Sequence, residues 1–225
     1  ISGDPDLFEI IFLSIQVSLT SLLGSVIIGL PLGAFLAIHR FKMRSIVLSV
    51  LNALMGMPPV VVGLIVYLAL SRSGPLGVLG LLYTPSAMVI AQVLLITPIV
   101  VSLTRQTIEE LDSQYREYFL SLGIKRLPKV LTFLWEARFS LVTVCLAGLG
   151  RAISEVGAVM IVGGNIDHLT RVMTTAIALE TSKGDLELAM ALGVVLMLIA
   201  FSVNLLIALI RPSNNHSITS KMFSR

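Results

Sequence analysis

Arg151 and Glu155 stand four residues apart in "GLGRAISEVGAVMIVGGN" (148–165), a stretch otherwise apolar and rich in glycine. Four residues is close to one helical turn, so a helix brings both side chains to one face. A charge at the centre of an apolar span costs about 2.5 to 3.5 kcal/mol on insertion scales. The pair is therefore expected to face other helices or a water-filled path. Two roles are open. Arg151 adds positive potential to an anion pathway while Glu155 fixes its position, or the two form a packing salt bridge that never meets a solute. A carboxylate so close cancels part of the attraction for an anion, which weighs towards the second.

Other residues with chemical meaning are helix breakers. Thr97 and Pro98 are expected to interrupt one apolar run, and Asn52 with "MGMPP" (55–59, including Pro58) to break another. Proline removes a donor and bends a helix. Broken helices often line the path in transporters, although ordinary packing kinks carry the same signature. Gly157, with Gly148, Gly150, Gly163 and Gly164, allows close helix approach and suits a dimer seam as well as a gate. Enzyme chemistry finds no support. His39, His168 and His216 fall in separate loops, and neither HExxH nor GxSxG occurs. No catalytic residue, metal ligand or cofactor is assigned to this chain. It also lacks the phosphate loop GxxxxGK[ST], so any motor must be another subunit.

The elements that must position these residues follow from composition. The 225 residues are 56% hydrophobic and 13% charged, with a mean hydropathy of +0.95, against about 25% charged in soluble domains. The apolar runs are long enough to cross a core of ~30 Å as helices. They do not alternate as barrel strands would. The fold class is all-α integral membrane, with five spans at about 8–38, 46–70, 86–108, 139–162 and 186–210. Between the second and third, "SRSGPLGVLGLLYTPS" reads as a loop with a short interfacial segment. A single membrane domain covers 1–211, and a polar tail follows at 212–225. Cys145, the one cysteine, excludes an intrachain disulfide. The acidic opening "ISGDPDLFE" is no secretory signal, and an initiator segment before Ile1 is expected to be missing or trimmed.

Lysine and arginine sort by loop. Arg40, Lys42, Arg44, Arg105, Arg116, Lys125, Arg126, Lys129, Arg138, Arg211, Lys221 and Arg225 fall on one side, twelve in all, against Arg72, Arg171 and Lys183 on the other. The positive-inside rule then puts the N-terminus outside and the C-terminus in the cytoplasm of a prokaryotic cell membrane. The net charge of +3 is too dispersed for nucleic-acid binding.

The largest cytoplasmic feature is the connection of about 109–138, which contains "QYREYFLSLGIKRLPKVLTFLWEAR" (114–138). Tyr115, Tyr118, Phe119 and Leu122 share one helical face. Gly123 can end or bend that helix, and Pro128 suits the first turn of a second. A helix–turn–helix with an apolar ridge, flanked by Arg116, Lys125, Arg126 and Lys129, fits a groove on a partner protein. Binding to acidic lipid headgroups is the plainer alternative.

Glu117, Tyr118, Phe119 and Gly123 resemble the EAA loop of ABC importer permeases. Aromatics replace its paired alanines, and Glu136, in "FLWE", stands where proline is usual. The resemblance implies that Arg116, Glu117, Tyr118, Phe119, Gly123, Lys125 and Arg126 dock on a cytoplasmic ATPase. "AMVIAQVLLITPIV" (87–100) and the stretch 148–165 are similar to the molybdate, tungstate and sulfate group, and "SEVGAVMIVGGNI" is most similar to tungstate permeases. That implies a type I ABC importer permease-like fold, working as a homodimer in membrane lipid. It also implies an external oxyanion-binding protein and an ATPase pair that holds ATP and magnesium. The expected substrate pathway comprises Asn52, Pro58, Thr97, Pro98, Arg151, Glu155, Gly157 and Asn165. Tungstate is the expected cargo, with molybdate or sulfate as alternatives. A stand-alone channel or secondary carrier fits less well, since carriers usually show several intramembrane acids and a repeated architecture.

Overall fold

Gly24, Gly29 and Gly33 leave a groove along the first apolar helix, and a second long helix lies in it. A Cβ on Gly29 would come within 2.7 Å of Val100 Cγ1, and one on Gly33 within 2.7 Å of the Val101 carbonyl oxygen. Small residues at such spacing let helices pack in lipid, where no hydrophobic force drives association. These are α1 (Pro5–Ile38) and α4 (Pro85–Ser121) in a computed structural model that describes residues 5–121 and 126–210, with side chains for 7–113, 115 and 130–205. The partner numbers rise together, from Gly24 on Val93 to Gly33 on Thr104, so the two helices run parallel. The chain between them must return along the bundle.

That return is made by α2 (Arg44–Met55) and α3 (Pro59–Leu70), bent by 100°. The expected span 46–70 is thus two helices, because Pro58 is extended at ψ 128° and Pro59 opens α3. A proline removes a donor that the first helical turn does not need. A short 3₁₀ turn, Gly77–Leu79, occupies the next connection.

The 37 residues of α4 span about 55 Å, well beyond a hydrocarbon core of ~30 Å. Two expectations change here. Pro98 does not interrupt the helix, which runs through both Thr97 and Pro98. Thr97 Oγ1 donates to the Val93 carbonyl of the same helix at 2.6 Å. Nor does a loop begin at 109. "TIEELDSQYREYFLS" is rich in good helix formers and free of Gly and Pro, so α4 continues to Ser121.

Then come α5 (Arg126–Glu136) and α6 (Arg138–Ile153), bent by 78°, followed by α7 (Gly157–Gly163), α8 (Met173–Lys183) and α9 (Leu186–Ile210). The expected span 139–162 is α6 and α7 with a break between them. By length and apolarity, three described helices can cross a membrane, or up to five if each bent pair is one span. No strand occurs among the described residues.

Two buried clusters meet on α4. Val17, Val66, Met88, Ala91, Val159 and Val162 join α1, α3, α4 and α7. Ala34, Ile96, Val100, Ile108, Phe133 and Val144 join α1, α4, α5 and α6. In contrast, α9 exposes Met190, Val194, Met197, Phe201 and Leu205, as a helix facing lipid does. At the Ile38 end of the bundle, Glu109 of α4 bonds Arg44 of α2 through Oε1 and Arg105 through Oε2 at 2.7 Å. Arg44 Nε also donates to the Leu36 carbonyl at 3.0 Å. One carboxylate thereby ties α2 and α4 to the end of α1.

Candidate functional site

Helix α6 stops at Ile153, and three residues pass before α7 begins at Gly157. Val156 stays in the right-handed region at φ −117° and ψ −55°, but its φ is far from the helical value of about −63°. Such a break frees backbone groups, which in an apolar setting must find partners. Neighbouring helices supply them. Gln92 Nε2 of α4 donates to the Ala152 carbonyl at 3.2 Å, and Thr174 Oγ1 of α8 donates to the Glu155 carbonyl at 2.8 Å. The Glu155 side chain turns inward, where Oε1 accepts the Ala158 N–H at 3.1 Å. Its Oε2 lies 3.1 Å from Arg151 Nη2.

The two charges are unequally placed. The Glu155 side chain is 3% exposed, while that of Arg151 is 35% exposed. Both carboxylate oxygens are engaged and the side chain is buried, which shields Glu155 from a solute on the exposed side of Arg151. A guanidinium carries five N–H donors, and the exposed part of Arg151 retains some of them. Of the pair, only Arg151 can meet an anion, with its charge partly offset by Glu155.

Beside Glu155, a cavity of ≈ 20 Å³ is lined by Ser14, Ser18, Gln92 and Thr174 among apolar side chains. That is room for about one water. The Gln92 Oε1 atom is buried without a hydrogen-bond partner.

The break in the second expected span lies against this one. A Cβ on Gly63 of α3 would stand 2.7 Å from Ala158 Cα, and one on Gly157 would stand 2.8 Å from Val60 Cγ2. Pro58, Gly157, Glu155 and Arg151 therefore belong to one region where two discontinuous helices cross. The remaining expected residues are not gathered there. Asn52 is exposed on α2, beyond the 100° bend. Pro98 is buried in α4, and the Thr97 hydroxyl is spent on its own helix. Asn165 sits past the end of α7 at φ 50°, its Oδ1 buried and unpartnered. Of the expected coupling residues, Arg116, Glu117, Tyr118 and Phe119 lie on α4 and Arg126 opens α5, with side chains outside the described set. Gly123 and Lys125 lie outside the described residues. Sequence reasoning passed over Gln92 and Thr174. The amide of Gln92, alone among apolar neighbours in "AMVIAQVLLITPIV", was the available signal.

Residues 29–216, which hold both helix breaks, match the model of the family of binding-protein-dependent transport system inner membrane components. The chain belongs to this family. It is thus an ABC permease, the non-enzymatic membrane component of its transporter. Over 207 residues it is 44% identical to the tungstate uptake system permease protein of Peptoclostridium acidaminophilum, covering 92% of this chain and 91% of that one. It is 42% identical over 205 residues to a probable anion ABC transporter permease protein of Haloferax volcanii, covering 89% and 88%. The molybdenum transport system permease protein of Azotobacter vinelandii is more distant, at 26% over 200 residues, covering 85% and 87%. Among the described residues of the permease, no group of three or more His, Cys, Asp or Glu side chains could hold a metal ion.

Proposed function

We propose that this permease forms, as a homodimer, the membrane pathway of an ATP-driven tungstate importer. One observation carries the choice of cargo. Identity to a tungstate uptake permease is 44% over nearly the full chain, against 26–27% for the molybdenum and sulfate permeases. An external binding protein delivers the oxyanion at the Pro85 end of α4, with the N-terminus outside and the C-terminus in the cytoplasm. A separate ATPase pair, holding ATP and magnesium, grips the segment around Arg116 to Arg126. The continuity of α4 from Pro85 to Ser121 supports a lever role for that helix. ATPase closure displaces its cytoplasmic end, and the α3–α7 crossing shifts with it, switching access between the two faces. Arg151 attracts the dianion, and Glu155 holds the arginine in place and keeps the anion from binding too tightly.

The test is uptake by proteoliposomes containing the permease, its ATPase and its binding protein. Tungstate uptake that requires ATP and exceeds that of molybdate and sulfate is expected. Uptake by the permease alone would overturn the coupling, and preference for molybdate or sulfate would overturn the cargo.

A further inference from the structure

On the outer surface of the bundle, α1 and the α5–α6 corner enclose an open apolar groove of about 490 Å³. Val26, Ile27, Leu30 and Pro31 form one wall, and Leu134, Leu141, Val142 and Cys145 form the other. Arg138 also lines it, as the first residue of α6, where the chain bends by 78°. Its guanidinium lies 5.2 Å from the Trp135 ring centroid and 4.6 Å from that of Phe139. Its Nη1 donates to the Trp135 carbonyl at 2.9 Å. No carboxylate pairs with Arg138 among the described residues. Trp135 is 72% exposed and Leu131 71%, beside a half-exposed Phe139.

We propose that this groove is a binding site for an acidic phospholipid, with the phosphate on Arg138 and an acyl chain between α1 and α6. The argument is charge complementarity joined to apolarity. An arginine with no carboxylate partner among the described residues, flanked by exposed aromatics, is the chemistry of the membrane interface, where tryptophan rings settle at headgroup depth. Stacking on two rings fixes the guanidinium while leaving other donors free for phosphate oxygens. The groove runs from Arg138 towards Cys145, seven residues and about 10 Å along α6, so a chain anchored at the arginine follows the apolar wall inward. An uncharged lipid fills the same groove but lacks the net negative charge that singles out Arg138. This proposal rests on the membrane position of the corner and is independent of the cargo.

Trp135 is the only tryptophan of the chain, so its fluorescence reads the site directly. The full-length permease is reconstituted in vesicles carrying brominated phosphatidylglycerol or brominated phosphatidylcholine at equal mole fraction. Preferential quenching by the acidic lipid is expected, with a relative affinity of about fivefold, equivalent to ~1 kcal/mol per basic residue near the surface. In R138Q the preference falls to parity while quenching by brominated phosphatidylcholine is unchanged, and R138K retains most of it. Equal quenching by both lipids in the wild type, or an undiminished preference in R138Q, overturns the proposal. So does an absence of quenching by either lipid, which would mean that a second copy or another subunit covers the groove.

Discussion

Glu155 holds Arg151 at 3.1 Å through one oxygen and caps the Ala158 N–H at 3.1 Å through the other. The same carboxylate thus neutralises the charge in the span and stabilises the start of α7 across a helix break. Substituting Arg151 by Ala leaves a buried carboxylate unpaired, a loss of about 3–5 kcal/mol. The change R151A should lower the thermal stability of the solubilised permease markedly. The double variant R151A/E155Q should recover part of that loss, because the neutral amide no longer demands a cation. A double variant no more stable than R151A would contradict the pairing energetics.

Glycine positions separate into tolerant and intolerant sites. A Cβ at Gly63 meets the Ala158 backbone, which cannot swing aside, whereas one at Gly157 meets a terminal methyl of Val60. The expected order of destabilisation is G63A above G157A, with overpacking costs of about 1–3 kcal/mol. At Gly150 and Gly193 nothing lies within 4 Å of where a Cβ would stand, so both should accept alanine in the single chain. Thermal melts of the four variants in one detergent check the ranking.

At the other end, Glu109 serves both Arg44 and Arg105. The change E109Q leaves two arginines facing each other with no shared anion. The carboxylate is about one-third exposed, so the stability loss is modest, about 1 kcal/mol or less. The larger effect is expected in coupling, since the tie between α2 and α4 loosens. More ATP should be hydrolysed per tungstate ion imported, and added salt should bring the wild type towards the variant.

Gly123 falls within the segment proposed to dock on the ATPase. Its replacement by Trp should reduce recovery of the ATPase in a pull-down while membrane insertion stays normal. Full recovery with wild-type uptake would count against docking there.

The sequence carried the long elements because their signal is local. Apolar runs of twenty or more residues mark α1, α4 and α9, and the prolines of "MGMPP" mark the α2–α3 bend. The break after Ile153 was hidden, since "AISEVGAV" is compatible with an unbroken helix. It exists because Gln92 and Thr174, far away in the chain, satisfy the groups it frees. Pro98 misled in the opposite direction. It lies inside the continuous helix α4, where its missing N–H does not end the helix. The Arg151–Glu155 spacing was legible, but the unequal exposure that separates their roles depends on tertiary neighbours.

The unbroken course of α4 from Pro85 to Ser121 also locks two distant surfaces in rotational phase. Each added or deleted residue turns everything beyond it by about 100°. A one-residue insertion near Gln106 would therefore turn the backbone from there to Ser121 out of phase, with every side chain near Gln92 left in place. Insertion length, more than residue identity, is what this helix cannot tolerate.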